Sequence, residues 1–236
     1  MSEPLRIALV AEGPTDGIVI EAALRAILHK RSFILKQIFP EGSDTFGEMG
    51  AGWAGVYRWC RQSARRGGAL SGDALLFQNY DLLVLHLDAD VAGDSYARGS
   101  ITPTATDDAL PCAQPCPPAA DTVNAIRRVL LSWCGETTKP PRTVFCTPSK
   151  STEAWVIAAL FPADKSMKSD IECYADPASR LAQQPAKARI RKNRRDYKSR
   201  AVGFSEAWPR LAATNALSEA RRFQSEFVAT IPSPKM

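Results

Sequence analysis

Asp88 and Asp90 are the residues of this sequence whose types and spacing best suit chemistry. They close the stretch from Asp81 to Asp90, an almost unbroken Leu/Val run that stops on two acids. Side chains alternate along a strand, which predicts that both carboxylates point the same way. Like charges held side by side repel, and a divalent cation between them is the usual remedy. Glu12 and Asp16 follow another apolar run, Leu5 to Ala11, and Glu153 follows a third, Arg142 to Cys146. Asp16 and Glu153 also stand where a helix begins, a position that favours an acid without any metal. His86 shares the parity of Asp88 and reads as a packed neighbour, Asp94 as a spare ligand, and Lys150 as a cation within reach of a phosphate.

The elements that must position these residues follow from periodicity. Leu5 to Ala11 reads as a buried strand ended by Glu12, Gly13 and Pro14, with Thr15 as a cap. A helix is predicted from Asp16 to about Lys30, a strand from Phe33 to Phe39, and a helix from Trp53 to about Arg66. The Asp81 run is the third strand. From Val91 to about Ala120 the pattern dissolves into Gly, Ser, Thr, Pro and Ala, which predicts a mobile loop. A helix over Thr122 to Trp133, a strand over Arg142 to Cys146 and a Ser151-capped helix to Leu160 complete the series. Strands alternating with helices predict a parallel α/β sheet whose functional loops lie at the strands' carboxyl ends. Three acidic stations then share one edge. Residues 163–204 look polar and irregular, and Pro209 to Ala229 looks like one amphipathic helix. The predicted organisation is a sheet domain over residues 1–162 and a basic, mainly helical appendage over 163–236.

The chain has 236 residues and a net charge of +5. No run of eighteen apolar residues crosses it, and its start lacks the build of a signal peptide, so a cytoplasmic location without membrane association is expected. Six cysteines scattered through such a chain are expected as thiols, including Cys112 and Cys116, which flank a Pro-rich loop. Positive charge concentrates in one place. Lys187, Arg189, Arg191, Lys192, Arg194, Arg195, Lys198 and Arg200 stand within fourteen residues beside a single acid. That patch suits a phosphate backbone, bound without sequence preference, with Tyr197 placed to stack on a base.

Glu12, Gly13, Pro14, Thr15, Asp16 and Gly17 after one strand, with Asp88 and Asp90 after another, resemble the Toprim domain of topoisomerases, primases and small nucleases. The resemblance spans about residues 5–160, and the nearest likeness is to stand-alone Toprim nucleases of bacterial phage defence. It implies a Toprim-like parallel four-stranded sheet sandwiched by helices and Mg2+-dependent cleavage of DNA or RNA, with Glu12 as acid, base or ligand. Asp16, Asp88, Asp90 and Glu153 would complete the metal core. Two Mg2+ or Mn2+ ions about 4 Å apart would neutralise the phosphate. Oxygen donors of this kind suit such hard ions. Two rivals stay open: a nucleic-acid-binding or regulatory subunit of a larger, ATPase-containing defence assembly, and a small phosphatase.

Overall fold

A computed structural model describes residues 3–40, 49–164, 171–214 and 217–232. The sheet is parallel throughout, with β1 (Leu5–Val10), β2 (Phe33–Phe39), β3 (Leu82–His86) and β4 (Thr143–Cys146) in the order β2-β1-β3-β4. Helices α1 (Pro14–Ile27), α2 (Gly52–Gly67), α3 (Ala74–Asn79), α4 (Ala119–Trp133) and α5 (Thr152–Leu160) connect or follow the strands. Beyond them come α6 (Pro177–Ala182), α7 (Arg194–Ala213) and α8 (Ser218–Thr230). This is the α/β sandwich with helical C-terminal region that the alternation predicts. Among the described residues no helix is long and apolar enough to cross a membrane.

Strand parity divides the core. Leu5, Ile7, Leu9, Leu82, Val84 and Val144 face α1, α5, α7 and α8, while Ala8, Val10, Leu83, Leu85 and Phe145 face α2 and α4. Both faces are covered, which is why these strands read as continuous apolar runs. From β1 the chain winds outward to β2, then returns past β1 to β3 and β4. The direction of winding reverses between β1 and β3, and in such sheets the crevice at the strands' carboxyl ends opens at that reversal. Glu12 and Asp88 emerge on its two sides.

Several expectations need correction. Gly13, not Thr15, is the N-cap of α1, with Pro14 as its first residue; proline's fixed φ and missing N–H suit that position. The start of the stretch expected as a mobile loop is packed: two 3-10 turns, Ala89–Gly93 and Tyr96–Gly99, bury Val91, Ala92 and Tyr96, while residues 102–118 are largely exposed and without regular structure. Aromatic packing holds the turns, since Trp133 Nε1 donates to the Tyr96 hydroxyl at 2.9 Å, which in turn donates to the Asp108 carbonyl at 2.7 Å. A period-seeking reading misses such order because it rests on single anchors. Cys116 and Cys173 form a disulfide, against the expectation of thiols throughout; the fold brings together two half-buried cysteines 57 residues apart.

The C-terminal region also differs. Arg194–Ala213 is helical where the sequence suggests an irregular stretch, with Pro209 inside it, and α8 is a separate helix. Tyr197, Phe204, Trp208 and Leu211 supply its buried stripe. Charged residues between them hide the period in the sequence. That stripe packs into the same core as β1, α1 and α5.

Candidate metal centre

Past the end of β3 the chain keeps pairing with the segment beyond β4. Leu87 N–H donates to the Cys146 carbonyl at 3.1 Å, Ala89 N–H to Pro148 at 2.9 Å and Asp90 N–H to Lys150 at 3.3 Å. This extended pairing carries Asp88 to the N-terminus of α5. There the Thr152 N–H donates to Asp88 Oδ1 at 3.2 Å, and the Thr152 hydroxyl donates to Asp16 Oδ1 at 2.7 Å. One buried threonine therefore holds acids from two different elements. Glu12 is fixed from the other side, its Oε1 accepting the Asp88 N–H at 2.7 Å and its carbonyl accepting Gly52 N–H at 3.1 Å.

Asp16, Asp88 and Glu153 are all buried, and they bring ligand oxygens within 4.8 Å of one another. Glu12, His86 and Asp88 form a second such group, sharing Asp88. Asp16 and Glu153 lie in the first turns of α1 and α5, and α7 begins two residues after Lys192. The positive ends of the first two helices lower the cost of gathering carboxylates here.

The charges balance only in part. Burial, then Asp16, Glu153 and Asp90, pushes the Asp88 carboxyl well above its ordinary pKa. Burial, then Asp88, does the same to Glu12, with His86 opposing. Burial would also raise Glu153, but Lys192, Ser151 and Tyr197 more than offset it and hold that carboxylate below its ordinary value. Lys192 Nζ lies 3.2 Å from Glu153 Oε1, and the Tyr197 hydroxyl donates to the same oxygen at 2.8 Å. Burial works against the Lys192 ammonium, yet Glu153, Asp16 and Asp88 together raise its pKa. The other Glu153 oxygen, Oε2, is buried without a hydrogen-bond partner among the described residues. A buried carboxylate oxygen left in that state is costly, and a cation would satisfy it. The two groups can hold a metal ion, and the oxygen-only set of Asp16, Asp88 and Glu153 fits a hard one.

Four expected site residues, Glu12, Asp16, Asp88 and Glu153, thus converge. Asp90 does not share the buried face of Asp88. β3 ends at His86 and a 3-10 turn starts at Ala89, so strand alternation no longer applies and the Asp90 side chain is exposed. It belongs to neither group of converging ligand atoms. Lys150 holds Asp90 through its carbonyl, and its ammonium makes no ion pair among the described residues. Asp94 pairs with Arg98 at 2.7 Å. His86 is fully buried with Nε2 3.0 Å from Asp88 Oδ1.

Of the basic segment, Lys192 enters the acid centre. Lys187, Arg189, Arg191, Arg194, Arg195 and Lys198 are exposed, and Arg200 is half-buried with its guanidinium donating to the Lys187 carbonyl at 3.0 Å. Tyr197 is buried against Glu153 and has no face free to stack on a base, which corrects the expectation for it. Sequence reasoning missed Thr152. Its position beside Glu153 in a first helical turn was the available signal. Nothing in the spacing joined Tyr197 to Glu153.

Compared with protein-family models, curated proteins and solved structures, the chain matches none.

Proposed function

We propose that this protein is a metal-dependent phosphodiesterase acting on nucleic acid, with Mg2+ or Mn2+ at the switch-point edge of the sheet. The observation that carries the reading is the buried trio Asp16, Asp88 and Glu153, with Glu153 Oε2 unsatisfied. Asp88 belongs to both ligand groups, the arrangement expected of two neighbouring ions. Bound divalent ions would supply charge neutralisation at the phosphate and its leaving oxygen. Asp16, Asp88 and Glu153 would hold them, with Thr152 fixing the first two and Tyr197 the third. Glu12, whose pKa is raised by burial and by Asp88, is suited to carry a proton to or from the reacting oxygen. Lys192 stands where it can meet a phosphate oxygen. The motif resemblance to Toprim nucleases, including those of phage defence, supports the same reading.

The test is cleavage of a mixed panel of DNA and RNA with and without Mn2+. Wild type is expected to cut only with metal, and Glu12→Gln and Asp88→Asn are expected to abolish cutting while keeping a native circular dichroism spectrum. Undiminished cutting by both variants would overturn the mechanism.

One observation favours a second reading. Lys192 already places a positive charge against Glu153, so the acids are partly neutralised without metal. A chain of this kind suits a nucleic-acid-binding or regulatory module, including a subunit of a larger ATPase-containing assembly. Absence of calorimetric binding at millimolar Mg2+ or Mn2+ would favour it.

A further inference from the structure

A cleft of about 170 Å³ lies between the first two turns of α1, strand β2 and the start of α7. Pro14 and Gly17 from the first turn of α1, Gln37 from β2, and Arg194 and Lys198 from the first turns of α7 line it. Asp16 shares the α1 turn with Pro14 and Gly17. Lys192, two residues before Arg194, reaches Glu153. The same short segment therefore contacts the centre with one cation and opens the cleft with two others.

The charges in the cleft are not self-cancelling. Arg194 and Lys198 lie four residues apart on one helical face, both exposed, and neither pairs with a carboxylate among the described residues. Glu21 also lines the cleft, but Arg25 holds it at 2.5 Å. Gln37 is spoken for as well, its Nε2 donating to the Gly13 and Phe39 carbonyls at 3.4 Å each. A Cβ at Gly17 would meet the end of the Gln37 side chain, which would have to swing aside. Farther along the α1–α7 seam an adjoining hollow of about 330 Å³ adds Arg25 and Glu206, so positive charge no longer dominates. Lys198 lines both hollows, and Arg194 lines only the first.

We propose that this cleft is a subsite for the phosphate next to the one being cut. The proposal rests on the phosphodiesterase reading and names its substrate class: a chain carrying at least two phosphates, not an isolated phosphate ester. At about 170 Å³ the cleft is smaller than the roughly 300 Å³ at which pockets for whole drug-sized ligands begin, which fits one phosphate with its sugar. Charge-assisted contacts from Arg194 and Lys198 would fix the chain's direction across the α1 turn.

The test compares wild type, the double variant Arg194→Ala/Lys198→Ala, and the charge-matched control Arg65→Ala/Arg128→Ala. Each is assayed with Mn2+ on a single-stranded oligonucleotide and on bis(p-nitrophenyl) phosphate. The subsite predicts that kcat/KM of the cleft variant falls about tenfold or more further on the oligonucleotide than on the small diester, while the control follows wild type. Equal losses on both substrates would overturn it, as would an equal effect of the control. If no protein cuts either substrate, the phosphodiesterase reading fails, and binding of a labelled oligonucleotide in Ca2+ decides the subsite separately. There, the slope of log K against log salt should lessen by about 0.7 for each phosphate that the cleft variant no longer neutralises. An unchanged slope and affinity would reject the cleft.

Discussion

The Tyr197 hydroxyl donates to Glu153 Oε1 at 2.8 Å across 44 residues of sequence, tying α7 to the first turn of α5. Burial, then Glu153, raises the Tyr197 pKa, so the phenol keeps its proton and remains a donor. The C-terminal region is thereby part of the acid centre.

Tyr197→Phe removes that donor and keeps the buried ring. Glu153 Oε1 then keeps the Lys192 ammonium, which is more than half exposed. Loss of an outer hydrogen bond that orients a ligand typically lowers metal affinity about 10–100-fold. Calorimetric titration with Mn2+ should show a loss of that size with a native circular dichroism spectrum; wild-type affinity would mean that Glu153 is oriented without Tyr197.

Thr152→Val tests the opposite side of the centre. The variant is close in shape, retains the backbone bond to Asp88, and deletes the 2.7 Å hydroxyl bond to Asp16. Leaving a buried carboxylate oxygen without its donor costs about 1–3 kcal/mol. Urea unfolding without metal should show a loss in this range, and the rise in Tm on adding Mn2+ should shrink. An undiminished metal-induced shift would place Asp16 outside the ligand set.

The Cys116–Cys173 bridge closes a loop of 57 residues and joins the segment before α4 to the 3-10 turn Ile171–Cys173. Closing a loop of this length stabilises a fold by at most about 4 kcal/mol in the chain-entropy model. Cys116→Ser is expected to lower Tm, and dithiothreitol should lower the Tm of wild type but not of the variant. A reductant-insensitive wild type would show that the bridge contributes nothing in solution.

The sheet is legible in the sequence because β1, β3 and β4 are covered on both faces. Leu82 to His86 carries no polar interruption before its end, and Phe33–Phe39 keeps β-forming residues around Lys36 and Gln37. The acids at the carboxyl ends of β1, β3 and β4 follow from topology, because a parallel sheet gathers those ends at one edge. Legibility ends where conformation depends on contacts distant in sequence. Strand parity puts Asp90 beside Asp88, but the Pro148 and Lys150 carbonyls draw the chain out of β3 into a 3-10 turn. Lys192 is legible only as one cation among eight, since its partner Glu153 lies 39 residues earlier. Helix α7 is hidden by its composition: the buried Tyr197, Phe204 and Trp208 are separated by charged residues, Lys198 and Arg200 before Phe204 and Glu206 after it.

Glu219 gives the fold a dependence on pH that is independent of the acid centre. It lies in the first turn of α8, where Glu172 already occupies the helix N-terminus. Glu172 accepts the Ser218 N–H at 3.0 Å, the Ser218 hydroxyl at 2.6 Å and the Glu219 N–H at 3.0 Å. Glu219 itself is buried, with Oε2 lacking a hydrogen-bond partner among the described residues and Arg222 at 3.7 Å. Burial, then Glu172, outweighs Arg222 and Arg127 and raises its pKa from 4.5 to about 7. A folded state that keeps its proton when the unfolded chain has lost it is favoured at low pH. Its contribution is therefore full below about pH 4.5 and disappears as pH rises through about 7, on the order of 1–3 kcal/mol in all. Glu219→Gln keeps the shape of the neutral side chain and removes the titration. Denaturant unfolding at pH 5 and pH 8 should show wild type losing stability relative to the variant at the higher pH. A constant difference between the two proteins across that range would mean that Glu219 carries an ordinary charge in the folded state.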